Sequence, residues 1–437
     1  MSLMSGPTPR APTLCPSGRE KEARGRARLA AVGTCGGAGT VFATMGPVQW
    51  RKVVSRPALV AAAVGSGSAV GAAAGSVAAA AYFARRVLTP DELQPDNVMI
   101  LDRDADSVTF TATLDTTGPG RYGVWLAGGL GHARVGQVLL QDAMTVTREL
   151  IAVDRGELAP GPARWNQYFY WDRPSVSLGL PEEDVSVLSD VGGLPGWVVR
   201  PDPDVPATGD WAVLVHGRGA RKEETLRAVP VLRRAGWTSL VAAYRNDRDA
   251  PPGPDGRYNL GLSEWRDIEA AMGYAVSHGA RRIVLMGWSM GGAVVLQALD
   301  RSPLAERVVG VCLDSAVLDW GVVLRHHARV HRVPGPLARM ATDLMGSRGS
   351  RRLVGVHEPL DVARTDWVAR ADELTRPMLV MASDGDDFVP IGPAVAIAGR
   401  RPDIVRFERW QVARHCREWN EDPVRWERAV ADFLASV

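Results

Sequence analysis

Gly287-Trp288-Ser289-Met290-Gly291 sets a serine inside a G-x-S-x-G pattern, and the residues on either side say how the chain presents it. Residues 282–286 form an apolar run of strand type, and 293–298 open a helix, so Ser289 stands on the tight turn between them. Such a turn strains the backbone and brings helix and strand too close for side chains, which is why glycines flank it. The hydroxyl then faces out at the sheet edge with a helix N-terminus behind it. That setting favours the negative charge that develops in acyl transfer.

A serine hydroxyl is too weakly acidic to attack unaided, so a base and a group orienting the base must follow. The apolar run 378–382 leads into Ser383-Asp384-Gly385-Asp386-Asp387, a polar turn able to hold a carboxylate at a strand's end. Asp386 is assigned as the orienter, Asp384 and Asp387 as turn formers, and Asp314, closing the preceding strand, as the reserve. His415 follows the last strand and precedes the helical stretch 423–435, in a loop that can swing back over the serine; the order is Ser, Asp, His. The oxyanion needs two donors. The run 211–215 ends in His216-Gly217-Arg218-Gly219, so the N–H groups of Arg218 and Met290 are assigned to that hole. His216 is read as bracing this loop rather than moving protons.

Other chemistry-bearing residues weigh less. His327 and His331 lie at i and i+4 with His326 beside them, but no HExxH glutamate accompanies them and no metal is expected. Cys416, next to His415, is assigned to packing. Tyr244-Arg245-Asn246-Asp247 follows a strand at the same sheet edge and reads equally as pocket wall or loop structure. The cluster Trp165, Tyr168, Phe169, Tyr170 and Trp171 is assigned to a module core or interface ahead of a pocket lining.

The elements that position these residues alternate. Runs at 211–215, 238–243, 283–287, 308–314, 378–382 and 404–410 read as buried strands, and 223–235, 263–278, 290–301, 393–401 and 423–435 as helices. This alternation implies a mainly parallel sheet covered on both faces. The long departure at 317–375 is the natural place for a cap over the sheet's carboxyl edge. Upstream, residues 96–184 carry alternating runs at 107–113, 122–126, 135–140 and 145–153 between Gly, Pro and Asp turns, the pattern of a small β-rich module.

Composition narrows the classes. The chain has 437 residues, enough for two or three domains, and 46% hydrophobic content can furnish a sizeable core. With 51 Lys+Arg against 49 Asp+Glu there is no polycationic footprint, so nucleic acid is not an expected partner. Cys15, Cys35, Cys312 and Cys416 are too scattered for a disulfide framework or a zinc site.

Residues 1–56 hold nine Lys/Arg against two acids and read as disordered, with Met45 as an alternative translation start. Between 57 and 84 no charged residue occurs, with basic residues on both flanks; this stretch is read as a retained membrane anchor, a cleaved signal or an Ala/Gly linker being the alternatives. A membrane-associated protein is the expectation that follows, with a secreted or cytoplasmic one as alternatives.

Taken together, HGRG at 216–219, YRND at 244–247, GWSMGG at 287–292, DGDDFVP at 384–390 and HCREWNEDP at 415–423 make residues 185–437 resemble the α/β-hydrolase superfamily. Within it, the serine-aminopeptidase-like and prolyl-oligopeptidase-like branches are the nearest in pattern. The resemblance implies hydrolysis of an ester, thioester or amide through an acyl-enzyme, without metal or organic cofactor. Ser289 would be nucleophile, His415 base then acid, and Asp386 its orienter. A small-molecule acyl ester or thioester is the expected substrate; a peptidase, with Glu358 or Asp361 holding the peptide's amino end, is the alternative. A catalytically silent membrane-tethered binding module is the reading from a different class.

Overall fold

In the computed structural model the described residues are 69–90 and 94–437. The expectations placed on 1–56 and on 57–68 lie outside them.

Six strands, β1 (Val98–Arg103), β2 (Ser107–Thr111), β3 (Tyr122–Leu126), β4 (Gly131–Gln141), β5 (Thr145–Arg155) and β6 (Gly161–Asn166), close into a barrel in the order β1-β2-β5-β4-β3-β6. Every neighbouring pair is antiparallel. The alternation read in the sequence is the inside–outside period of these strands. Val98, Ile100, Val108, Phe110, Val124, Val135, Val146 and Trp165 turn inward to form a core of their own. Closure leaves no free edge, so a unit this small holds a fixed shape.

The second sheet has eight strands. Besides β9 (Trp211–Val215), β10 (Thr238–Ala242), β11 (Ile283–Trp288), β12 (Val308–Asp314), β13 (Met378–Ser383) and β14 (Val405–Trp410), it takes in β7 (Glu183–Ser189) and β8 (Gly192–Val199), in the order β14-β13-β12-β11-β9-β10-β8-β7. From β10 to β14 the pairs are parallel, and β8 and β7 extend the sheet antiparallel. Both faces are covered, as continuous apolar strands require. The helices Trp265–Ser277, Met290–Arg301 and Gly392–Arg400 pack on one face, and Val229–Arg234 and Pro423–Ser436 on the other. The helix expected over 223–235 is split, running as a 3-10 turn over Lys222–Ala228 and as an α-helix only from Val229, with Pro230 at the join.

Between β12 and β13 the chain forms two further helices, Trp320–Val330 and Gly335–Gly346, and the short turn Arg351–Val354. In chain order the α-helices used below are α1 (Ala69–Leu88), α2 (Val229–Arg234), α3 (Trp265–Ser277), α4 (Met290–Arg301), α5 (Trp320–Val330), α6 (Gly335–Gly346), α7 (Gly392–Arg400) and α8 (Pro423–Ser436).

The membrane anchor is overturned. Among the described residues no helix is long and apolar enough to cross a membrane. The reason lies in the side chains: α1 is built mostly of Ala and Gly, whose small apolar surface gives little drive into lipid. Instead it packs on α6 and on Arg351–Val354, burying Ala80, Ala84 and Leu88, spaced four apart on one helix face, in the main core. Arg85, at its C-terminal end, donates from Nε to the carbonyl of Leu353 at 2.6 Å. Tyr258 N–H in turn donates to the Leu88 carbonyl at 2.9 Å, so the helix end is tied to the sheet's loops.

Candidate active site

Each residue proposed for chemistry lies beyond the carboxyl end of a parallel strand, where an open α/β sheet presents its loops. Ser289 sits between β11 and α4 with φ at +51°, in the left-handed region that a non-glycine residue occupies only under strain. The neighbouring glycines are required by contact as well as by conformation. A Cβ on Gly291 would lie 2.1 Å from the Val215 carbonyl oxygen, and one on Gly287 would lie 2.6 Å from that of Gly291. The His216–Gly219 loop is equally close, since a Cβ on Gly217 would stand 2.9 Å from Ser289 Cβ.

His415 comes to the serine from the loop after β14. Its Nε2 lies 2.8 Å from Ser289 Oγ, and its Nδ1 lies 2.7 Å from Asp386 Oδ2. The other carboxyl oxygen of Asp386 accepts the N–H groups of Phe388 and Val389, both at 2.8 Å. Burial works against the charge on Asp386, but the His415 ring and these two N–H groups outweigh it and hold the carboxyl below its ordinary range. Burial likewise works against charge on His415; the Asp386 carboxylate overrides it and raises the imidazole's affinity for a proton. A carboxylate bonded to Nδ1 fixes the tautomer that leaves Nε2 free to take a proton from the serine.

The neighbours expected to be turn formers are occupied elsewhere. Asp384 is paired with Arg409 at 2.6 Å, and Asp387 with Arg414. Asp314, the reserve, is engaged elsewhere: its Oδ2 accepts the indole N–H of Trp426 at 2.8 Å. Burial raises its pKa and, further still, that of Glu418, on which the nearby Asp314 charge also acts.

The ring of His216 is buried, with Nε2 2.8 Å from Asp247 and Nδ1 2.9 Å from the Gly217 carbonyl. Both nitrogens thus face acceptors; burial opposes the charge, Asp247 outweighs it and raises the ring's affinity for a proton, and the histidine braces the loop. Tyr244 stacks on it and donates from its hydroxyl to Gly217 O at 3.0 Å, so Tyr244–Asp247 serves loop structure. Met290 opens α4, with its N–H at the helix N-terminus beside Ser289.

Cys416 is buried and burial pushes its thiol well above the ordinary cysteine range, the state of a packing residue. His326 and His327 donate from Nε2 to the carbonyls of Asp387 and Phe388, each at 3.0 Å, tying α5 to the acid's loop. Glu358 and Asp361 border a cavity of about 200 Å³ with Arg301 and Asn259, and Glu358 pairs loosely with Arg266 at 3.9 Å. The aromatic cluster divides: Trp165 lies in the barrel core against Phe110 and Tyr122, Trp171 stacks on His132, and Phe169 and Tyr170 meet Trp419 of the hydrolase sheet's C-terminal segment.

Sequence reasoning missed the supporting carboxylates. Glu224 accepts the Gly217 N–H at 2.9 Å, and Asp115 pairs with Arg414 and Arg417 on either side of His415. Neither stands out in its local sequence: the Arg414 and Arg417 partners of Asp115 lie 299 and 302 positions away, and Glu224, 7 positions from Gly217, falls within a stretch read as helix.

A family model described as the alpha/beta hydrolase family matches residues 212–431, half of the chain, and the protein belongs to that family. It is a hydrolase by that membership. A second model, of a domain of unknown function, matches residues 99–166, the barrel. Among solved structures the chain is similar to an esterase from Pyrococcus furiosus, at 17% identity and a TM-score of 0.47 over 61% of this chain and 94% of that one. It is similar too to a puromycin-hydrolyzing peptidase from Mycobacterium tuberculosis, at 16% identity and a TM-score of 0.47 over 77% and 47%. A proline iminopeptidase from Mycobacterium smegmatis aligns at 15% identity and a TM-score of 0.41 over 59% and 98%. No curated protein matches the chain.

Proposed function

We propose that the protein is a serine hydrolase that cleaves a carboxyl ester or thioester of a small acyl substrate through Ser289, His415 and Asp386. The observation that carries this is the unbroken line of hydrogen bonds from Ser289 Oγ through the His415 ring to Asp386, 2.8 and 2.7 Å long, at the carboxyl edge of the sheet. In the proposed reaction His415 Nε2 takes the Ser289 proton as Oγ attacks the substrate carbonyl. The oxyanion is held by the N–H groups of Arg218 and Met290, the second strengthened by the N-terminus of α4. The imidazolium then passes its proton to the departing oxygen or sulfur, leaving an acyl-serine. Water, deprotonated by the same histidine, completes the cycle. Asp386 keeps its charge throughout and steadies the imidazolium.

The test is covalent labelling of the full chain with a fluorophosphonate probe, followed by hydrolysis of p-nitrophenyl esters across a range of acyl lengths. Labelling of Ser289 that disappears in Ser289→Ala, with ester turnover, is the expected result. A well-folded chain that stays unlabelled would make the fold a silent binding module. Labelling without ester turnover but with release from aminoacyl substrates would move the reading to a peptidase.

A further inference from the structure

The barrel touches the hydrolase sheet at the two loops that carry the proposed chemistry. Its segment 112–121 lies on the histidine loop, where Asp115 accepts Arg414 Nη1 at 2.9 Å and Arg417 Nη1 at 2.6 Å. These arginines stand one residue before and two after His415. Next to them the Arg121 N–H donates to the Asn420 carbonyl at 2.9 Å, and Asn420 Nδ2 donates to the carbonyls of Arg121 and Gln167 at 2.7 and 3.0 Å. The approach is so close that a Cβ on Gly120 would lie 2.0 Å from the Asn420 carbonyl oxygen.

The oxyanion loop is held from the same side. Gln167 Nε2 donates to Glu224 Oε1 at 3.0 Å, and Glu224 Oε2 accepts the Gly217 N–H, one residue before Arg218. The Arg221 N–H donates to the Tyr168 hydroxyl at 2.7 Å.

These contacts issue from a rigid source. Arg148, wholly buried, donates to the carbonyls of Thr116, Gly118, Gly120 and Gly136 at distances of 2.6 to 2.9 Å. One guanidinium thereby fixes the shape of the segment bearing Asp115. Burial opposes ionisation of Asp115, but Arg417 and Arg414 outweigh it, so the carboxyl stands charged between two guanidiniums. Arg414 also reaches Asp387, so the acid's loop is drawn into the same network. The loop needs such support. Cys416, next to His415, has φ at +55°, a strained conformation that persists only when its surroundings impose it.

We propose that the barrel is a built-in positioning module for the hydrolase site, with Asp115 as the positioning residue that sets the histidine loop. The proposal rests on the reading of Ser289, His415 and Asp386 as the catalytic set. A histidine must be held within about half an ångström of its working place, and a displacement of about 1 Å costs on the order of 100-fold in rate.

The experiment uses the full chain in four forms: wild type, Asp115→Ala, Asp115→Glu and Thr109→Ala. Thr109 shares a 2.8 Å hydroxyl hydrogen bond with Thr147 inside the β2–β5 ladder, so its loss weakens the barrel without touching the clamp. Fluorophosphonate labelling rates, kcat and KM on a p-nitrophenyl ester, and melting temperature are measured for each. Asp115→Ala should label and turn over about 10- to 100-fold more slowly with KM within about twofold, and Asp115→Glu should recover most of the rate. Thr109→Ala should melt earlier and keep wild-type rates. A wild type that does not label overturns the catalytic reading and this proposal with it. A wild type that labels while Asp115→Ala only melts earlier, at unchanged kcat, overturns the positioning role alone.

Discussion

His415 Nε2 lies 2.8 Å from Ser289 Oγ although 126 positions separate the two residues. The serine follows β11 and the histidine follows β14, with β12 and β13 between them in the sheet. At a strand spacing of about 4.8 Å, the histidine must be carried back across roughly 14 Å. The five residues from Trp410 to His415 span at most about 17 Å when fully extended, so the loop uses much of its reach. Its position comes from Asp386, from Ser315 Oγ on the Cys416 N–H at 3.1 Å, from Arg227 on the Cys416 carbonyl at 2.7 Å, and from the barrel.

The pH profile of kcat/KM should report that environment. In the proposed reaction His415 serves as base only when neutral, so activity should rise as pH passes upward through its pKa. Burial lowers that pKa, and Asp386 more than reverses the effect, so the acid limb should lie above the ordinary histidine value of 6.5. A limb at or below that value would mean that another group sets the rate.

Asp386→Asn removes the charge that raises His415 and also permits the wrong tautomer. The limb should move to lower pH, and kcat should fall by about 1,000- to 10,000-fold while the variant stays folded. Stopped assays at several pH values on purified enzyme decide it. Full activity in this variant would hand the orienting role to another carboxylate, Asp314 first.

The two described cysteines should be silent. Burial pushes both thiols up, Cys312 and Cys416 alike, so neither presents a thiolate near neutral pH. Iodoacetamide applied to the folded protein and followed by peptide mapping should leave both unmodified, at an unchanged rate of fluorophosphonate labelling. Rapid alkylation of Cys416 would show that the histidine loop opens.

How far the sequence carried this picture depended on how local each signal was. The elbow at Ser289 was legible because strand, glycines and helix are adjacent in the chain, and steric contact with Val215 explains the glycine at 291. Asp386 and His415 were legible from order and strand ends. Barrel closure was not, since alternation marks strands but not the β1–β6 pairing that joins the first to the last. The anchor over 57–84 misled because lack of charge was read as affinity for lipid, whereas Ala80, Ala84 and Leu88 face protein. Asp115, Gln167 and Glu224 gave no signal. Gln167 meets Glu224 across 57 positions and Asp115 meets Arg417 across 302, while the Glu224 contact to Gly217 spans only 7 but falls within a stretch read as helix.

Asp314 and Glu418 give a stability prediction independent of turnover. Both are buried, and Asp314 Oδ1 and Glu418 Oε2 have no hydrogen-bond partner among the described residues. Burial, then the neighbouring Asp314, raises Glu418 well above its ordinary value of 4.5. A carboxyl raised in the folded state stabilises the fold fully below its unfolded pKa, and that contribution is lost as pH climbs through the folded value. The wild-type melting temperature should therefore decline as pH rises from about 4.5 towards the alkaline side. Glu418→Gln keeps a neutral group of the same shape and should flatten that decline. Equal slopes in the two proteins would place the proton elsewhere.

Gly291→Ala tests the elbow by size alone. The added methyl would stand 2.1 Å from the Val215 carbonyl oxygen and 2.5 Å from that of His216, both on the backbone of β9 and the loop that follows it. Neither atom is the end of a flexible side chain, so α4 must shift away from β9 to make room. Overpacking of this kind costs roughly 3 kcal/mol, and the shift carries Ser289 and the Met290 N–H with it. Denaturant unfolding should show the lost stability, and fluorophosphonate labelling of the remaining folded protein should slow by at least about tenfold. Because the loop after β9 carries His216 and Gly217, the same displacement would loosen the Glu224 contact to the Gly217 N–H. A variant of wild-type stability and labelling rate would mean that the helix and strand are not in contact at this position.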